Sequence, residues 1–205
     1  TCNYNETITK RVYGNSTEFP LSEKQADIKP IALYGTTKIF NELIAYSYNH
    51  LFNISTVGLR FFTVYGPWGR PDMALFKFTK NILLNKEIDV YNYGKHSRSF
   101  TYINDITDAI FLILKKYINK KNKYNEIFNI GGDKSIDLLD FITIIEKNLD
   151  KKAKIRLLPK QIGDIEKTES DCQKISKAVG YKAKTSIVKG IDEFINWYRS
   201  YYNIF

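Results

Sequence analysis

Tyr34 and Lys38 stand four residues apart, the spacing that brings two side chains onto one face of an α-helix. A phenol ionises near pH 10 in water and is a poor base at neutrality. An ammonium one turn away favours the phenolate. A lowering of ~3 units would represent about 4 kcal/mol, enough to make such a phenol a general base toward a hydroxyl proton. Spacing alone is weak evidence: Tyr-x-x-x-Lys occurs three times in the chain, and about two matches are expected by chance. Tyr91/Lys95 straddles Gly94 at a strand end, and Tyr117/Lys121 lies at a helix end inside a Lys-rich run. Only Tyr34/Lys38 opens a helix that leads into a buried strand. For this pair the alternative is a solvated surface contact.

Two further stretches carry groups suited to an anionic ligand. The run 59–74, LRFFTVYGPWGRPDMA, holds a hydroxyl (Thr63), a glycine turn and Arg70. It follows a strand, where open α/β sheets place their ligand loops. In Arg98-Ser99-Phe100-Thr101-Tyr102 a lone arginine precedes a β-rich turn, a placement suited to clamping a diphosphate. The bland alternatives are an ordinary strand end for Thr63, core aromatics for Tyr91 and Tyr93, and a helix cap for Asp171. Phe61 and Phe62 read as core. His50 and His96 are not spaced as metal ligands, so no metal is expected. Asp164 and Glu166 do not read as an acid/base pair.

The elements that must position these groups follow from periodicity. Residues 1–11 show none and read as irregular, and a polar loop runs from Gly14 to Pro30. Apolar residues at helical spacing predict a helix over 33–51, then a buried β-branched strand over 54–62, one unit of a parallel sheet. Residues 65–72 hold two prolines and two glycines and read as loop. Beyond them the pattern predicts a helix over 73–84 and a strand over 88–93. A helix over 105–118, with Asp105 as its N-cap, precedes a short strand at 127–130. A helix over 138–149, a strand-like 154–158 and a closing helix over 188–201 complete the reading. The fold class is α/β, with smaller mixed elements toward the C-terminus.

The chain has 205 residues, 43% hydrophobic and 15% aromatic, which excludes disorder for most of its length. Lys+Arg 31 against Asp+Glu 22 gives a net charge of +9. That charge is mostly scattered Lys, with Arg only at 11, 60, 70, 98, 156 and 199, so a solvated basic surface is expected rather than nucleic-acid binding. No run approaches the ~18–20 apolar residues of a membrane span. Cys2 and Cys172 cannot form a disulfide scaffold, which points to a reducing, cytoplasmic setting.

Taken with 60–80 (RFFTVYGPWGRPDMALFKFTK), 88–95 (IDVYNYGK), 100–106 (FTYINDI), 128–132 (FNIGG) and the LPKQIGD…D pattern of 158–171, the chain resembles the extended short-chain dehydrogenase/reductase family. Within it the likeness is to nucleotide-sugar epimerases, in particular bacterial capsule-type UDP-glucuronate 4-epimerases. The resemblance implies the C-terminal part of a Rossmann-type doubly wound sheet plus a smaller mixed α/β domain. Residues 1–70 would be the remnant of the NAD-binding domain with the catalytic helix. Residues 71–205 would mainly bind UDP-sugar, the two parts interleaving. It implies Tyr34, Lys38 and Thr9 as catalytic, with Tyr34, Lys38 and Phe61 facing NAD. Thr63 and Arg70 would address a C6 carboxylate. Met73, Ala74, Val90, Tyr91 and Arg98 would hold uracil and diphosphate, and Gln161 and Asp164 would reach the ribose. The implied reaction is epimerisation at C4 of UDP-glucuronate through a 4-keto sugar, without net use of cofactor. A 4-epimerase or 4,6-dehydratase of a neutral sugar, or a UDP-sugar-binding remnant without catalysis, are the alternatives. Family members are usually homodimers.

Two departures accompany the likeness. The sequence contains no Gly-x-x-Gly-x-x-Gly, and the family's first half-sheet, roughly 100 residues or more, has no counterpart. With Thr as first residue, the expectation is an N-terminally truncated member with little or no activity by itself. Lys10-Arg11 also stand where the family has small hydroxyl or acidic residues, and Ala32 where it often has Ser.

Overall fold

The computed structural model describes residues 5–14, 16–25, 29–30, 32–132, 134–161 and 164–204, with backbone alone over 5–11. In chain order the strands and helices begin with β1 (Asn5–Thr9), a 3-10 turn at Lys10–Tyr13, α1 (Leu33–Phe52), β2 (Thr56–Phe61) and β3 (Thr63–Tyr65). Next come α2 (Ala74–Leu83), β4 (Glu87–Val90), a turn at Tyr91–Gly94, β5 (Ser97–Tyr102) and α3 (Ile103–Tyr117). The remainder comprises β6 (Asn125–Ile130), β7 (Ser135–Asp137), α4 (Leu138–Leu149), β8 (Lys154–Leu157), β9 (Lys167–Thr168), α5 (Gln173–Val179) and α6 (Ile187–Tyr202).

The first sheet is all-parallel, in the order β1-β2-β6. Its strand ends are in register: Thr9 lies opposite Phe61, and Phe61 opposite Ile130. Val57, Leu59, Phe128 and Ile130 point into a core shared with Ile106, Ala109 and Ile113 of α3 and Ile175 of α5. The second sheet joins β3 to β5 in parallel and β5 to β7 antiparallel, with β9 on β5, while β4 and β8 form a parallel pair. A larger aromatic core gathers Phe76, Phe78, Phe141, Phe194 and Tyr198 between α2, α4 and α6. Each of these helices buries a stripe of apolar residues at three- and four-residue spacing, which is why their boundaries match the periodicity.

Three expectations are corrected. Residues 5–9, expected to be irregular, form a strand; residues 1–4 lie outside the described region. NETIT has a single large apolar residue, so pairing along the β2 backbone rather than a hydrophobic pattern defines β1. The strand expected over 88–93 stops at Val90, because Asn92 and Tyr93 adopt left-handed backbone (φ 52° and 51°). Asp105 is not an N-cap: α3 starts two residues earlier. Instead the buried Asp105 carboxylate accepts the backbone N–H groups of Lys184 (3.2 Å) and Thr185 (3.0 Å), fixing the segment that leads into α6. Among the described residues, no helix is long and apolar enough to cross a membrane.

Candidate active site

α1 connects two parallel strands, so it runs back against them, and its first turn lies at the sheet edge formed by the strand C-termini. Tyr34 is the second residue of that helix. Its side chain is 51% exposed, and the Lys38 ammonium sits 5.5 Å from its ring centroid. The pair expected from spacing is therefore formed. Thr9 and Phe61 end their strands side by side at the same edge, though only the backbone of Thr9 is described. Phe61 is partly buried and Phe62, 2% exposed, is core.

The rotation of α1 about its axis is set from below. Glu42, one turn after Lys38 on the same face, receives two hydrogen bonds from the Arg60 guanidinium: Nε to Oε1 and Nη2 to Oε2, both 2.8 Å. Arg60 rises from β2 and is 2% exposed. Its Nη1 donates to the Tyr13 hydroxyl (2.8 Å), which donates to Asn129 Oδ1 on β6 (2.6 Å). Burial by itself would pull the Arg60 pKa down. The Glu42 carboxylate and Tyr13 phenol outweigh that and hold the guanidinium charged. Burial pushes the Tyr13 phenol the other way, up to about 12, despite its cationic neighbour. One network thus ties α1, β2, β6 and the turn after β1, keeping Tyr34 and Lys38 at the sheet edge.

The loop after β3 brings Arg70 to the same side. Its guanidinium grips Asp72 with Nε–Oδ1 at 3.0 Å and Nη2–Oδ2 at 2.7 Å, in full solvent. These hydrogen bonds raise the pKa of Arg70 and lower that of Asp72, and Arg70 interacts electrostatically with the Tyr34 phenol. Thr63 opens β3 opposite Phe100 of β5. Met73 and Ala74 stand at the start of α2, Met73 as its N-cap residue.

The remaining expected residues converge on a second cluster. Val90 ends β4, fully buried, and Leu158 donates its N–H to the Val90 carbonyl (2.9 Å) while accepting from Tyr93 N–H (3.0 Å). The chain leaving β8 therefore runs beside Tyr91 before reaching the exposed Gln161 and then Asp164. Tyr91 is partly exposed and Tyr93 exposed, so neither is the core aromatic that was the alternative. Arg98 donates Nη1 to the carbonyls of Glu166 (2.7 Å) and Ser97 (3.1 Å), and Nη2 to Asp164 Oδ1 (3.2 Å). Asp171 is not the N-cap expected: that position of α5 is Cys172, while Asp171 Oδ1, one residue earlier, accepts the Gln173 N–H (2.8 Å).

Sequence reasoning missed Arg60, Glu42, Tyr13, Asn129 and His96. The first two left a signal: Glu42 extends the Tyr34–Lys38 face by one more turn, and Arg60 is a lone charge inside the apolar run GLRFF. His96 left none; it is buried beside Asp164 only because β5 and the segment before β9 pair.

Comparison with known proteins follows this geometry. Residues 6–131 match the model of the NAD dependent epimerase/dehydratase family. An uncharacterized protein of Methanocaldococcus jannaschii is 52% identical over 187 residues, covering 91% of this chain and 56% of its own length. Protein CapI of Staphylococcus aureus is 41% identical over 204 residues, 93% of this chain and 61% of its own. The crystal structure of UDP-glucuronic acid 4-epimerase from Bacillus cereus in complex with UDP-glucuronic acid and NAD superposes with a TM-score of 0.90 at 32% identity, covering 98% of this chain and 62% of that one. The chain thus spans about three fifths of the length of these proteins.

Proposed function

The chain belongs to the NAD dependent epimerase/dehydratase family, and on that premise we propose that it supplies the catalytic helix and the UDP-sugar side of a UDP-uronate 4-epimerase. The reaction would interconvert UDP-glucuronate and UDP-galacturonate. The observation that carries the reading is the Tyr34–Lys38 pair, one turn apart at the C-terminal edge of a parallel sheet. Support for the uronate comes from Arg70 on the Tyr34 side and from the solved relative named for UDP-glucuronic acid.

The donor set fits the nicotinamide end of NAD: a half-exposed phenol and an adjacent ammonium are the groups that can address hydroxyls of a ribose and a sugar together. No glycine-rich phosphate turn of the Gly-x-x-Gly-x-x-Gly kind is found in these 205 residues for its other end. Bound NAD would accept and return the hydride at C4 of the sugar. Tyr34 takes the 4-hydroxyl proton as hydride leaves and gives it back when the flat 4-keto sugar has turned. Lys38 favours the phenolate during that exchange, and Thr9 binds the 4-hydroxyl from the end of β1. Phe61 packs against the cofactor side. Arg70 meets the sugar carboxylate, exchanging its hold on Asp72. Thr63 joins Arg70 there. Met73, Ala74, Val90, Tyr91 and Arg98 retain uracil and diphosphate, and Gln161 and Asp164 retain the ribose, so affinity rests on UDP and leaves the sugar free to turn. Residues 1–70 form the cofactor side and 71–205 mainly the UDP side, the two interleaved. The exposed apolar residues of α1, such as Leu43, Tyr46 and Leu51, support a homodimer through that helix, and the cytoplasm is the expected setting.

The test has two stages. Calorimetry of the chain with UDP-glucuronate should show one saturable site. Next, the chain joined to the preceding segment of S. aureus CapI should convert UDP-glucuronate to UDP-galacturonate in the presence of NAD, faster than it converts UDP-glucose. Tyr34→Phe in that protein should lose about 100-fold or more in kcat. Preference for UDP-glucose would move the reading to a neutral sugar, and normal turnover by Tyr34→Phe would remove Tyr34 from its role.

A further inference from the structure

Among the described residues, His96 is the one buried titratable side chain at the UDP end to which nothing above gives a task. It is 6% exposed, and its Nε2 has no hydrogen-bond partner among the described residues. That nitrogen nevertheless lies 3.0 Å from Asp164 Oδ2, off the N–H axis. An unsatisfied buried polar atom is costly, and its persistence calls for a partner in another state of the site. The His96 backbone is pinned, its carbonyl accepting the Leu138 N–H at 2.8 Å, so the adjustment that aligns Nε2 with Asp164 is confined to the two side chains.

Asp164 is shared. Oδ1 faces Arg98 Nη2 at 3.2 Å while Oδ2 faces His96. Arg98 is anchored chiefly through Nη1 on the Glu166 carbonyl at 2.7 Å, which leaves Nη2 as its looser arm. An entering diphosphate draws that arm, and Asp164 then loses its cation. A neutral imidazole cannot replace it, but an imidazolium can, because Nε2 is already within hydrogen-bonding distance of the other carboxylate oxygen.

We propose that His96 is a positioning residue for the nucleotide end of the substrate, holding the Asp164 carboxylate when Arg98 turns to the diphosphate, so that binding takes up one proton from solvent. This deepens the UDP-sugar reading and rests on it.

The groups facing His96 fix the sign. Burial holds its pKa below the ordinary histidine value; Asp164 and Glu166 push it up, while Arg98 and Lys160 push it down. Ligand binding removes Arg98 from Asp164 and adds a diphosphate, and both changes favour the imidazolium. Affinity therefore rises as pH falls through the pKa of the bound state, and levels off below that of the free state. UDP-glucuronate itself titrates nowhere between pH 5.5 and 8, so the dependence belongs to the protein.

The experiment is calorimetry of the 205-residue chain with UDP-glucuronate at pH 5.5, 6.5 and 8, in two buffers of different ionisation enthalpy. Roughly three- to tenfold tighter binding at pH 5.5 than at pH 8, with proton uptake near pH 6.5, is expected. His96→Gln, which keeps an N–H donor without a titrating ring, should bind with a flat pH profile. NMR titration of the unmodified chain gives a second readout, since His50 is the only other imidazole in the sequence: the His96 resonance should titrate at higher pH with UDP-glucuronate than without. Equal affinity at every pH, a pH dependence that persists in His96→Gln, or an unmoved His96 titration would each overturn the proposal. No binding at any pH would instead overturn the UDP-sugar reading beneath it.

Discussion

Replacing Glu42 by Gln tests whether the network under α1 carries the stability that its burial implies. Arg60 is 2% exposed and Glu42 8%, and two 2.8 Å hydrogen bonds join them. Glu42→Gln keeps the shape and one acceptor oxygen but leaves the guanidinium charged and uncompensated in the interior, a loss of about 3–5 kcal/mol. Single domains have only about 5–15 kcal/mol in total. At roughly 2–4 °C per kcal/mol for a chain of this size, the midpoint of thermal unfolding should fall by about 6–20 °C. Removing both charges separates the pair from its site. Arg60→Met with Glu42→Leu should cost well under the sum of the two single substitutions, because neither variant side chain needs water. Urea unfolding of the four proteins completes the cycle. A loss below ~1 kcal/mol for Glu42→Gln, or a double variant that equals the sum of its parts, would refute the argument that the pair is desolvated and coupled.

Three further outcomes follow from other parts of the molecule. A Cβ on Gly190 would lie 2.1 Å from the Tyr65 hydroxyl oxygen, so Gly190→Ala should destabilise the chain by about 1–3 kcal/mol in urea unfolding. Tyr65→Phe should cost little or nothing, or stabilise by up to ~1 kcal/mol, because that buried hydroxyl has no partner among the described residues. The Tyr13 phenol titrates near 12 when folded against 10 when unfolded, so the unfolded state releases its proton first and stability falls as pH rises from 10 toward 12. Denaturation at pH 9 and pH 11 should show that fall, and Tyr13→Phe should remove roughly 1 kcal/mol of the difference.

How much of this was legible in the sequence depended on where each element draws its stability. The helices α1, α2, α4 and α6 were readable because each has turn or cap residues at its ends; α2, α4 and α6 also bury one apolar stripe, with Ser186 capping α6 and left-handed Asn53 and Asp150 closing α1 and α4. β2 was readable as a continuous apolar run. β1, β7 and β9 were not, since they are short, mostly polar, and defined by backbone pairing with strands remote in sequence. Asp105 misled for a related reason: a carboxylate near a helix start is ordinarily a cap, and only the tertiary approach of residues 184 and 185 gives it other donors. At the site, the Tyr34–Lys38 spacing announced itself because a helix turn is local. The meeting of His96, Arg98 and Asp164 joins residues about 66 positions apart, and periodicity says nothing at that range.

The row Thr9–Phe61–Ile130 has a meaning for the order in which the chain is made. β1, α1 and β2 form a complete βαβ unit once Phe61 has emerged, but the strand that covers the other edge of β2 begins only at Asn125. At about 5–20 residues per second, that edge waits roughly 3–13 seconds for its neighbour during synthesis. Throughout the wait its N–H and C=O groups are available to any extended segment. Arg60, a charge in the middle of that waiting strand, opposes its entry into a dry strand-on-strand aggregate, where the guanidinium would lose Glu42. The same arginine thus guards the open edge during synthesis and anchors α1 in the finished fold.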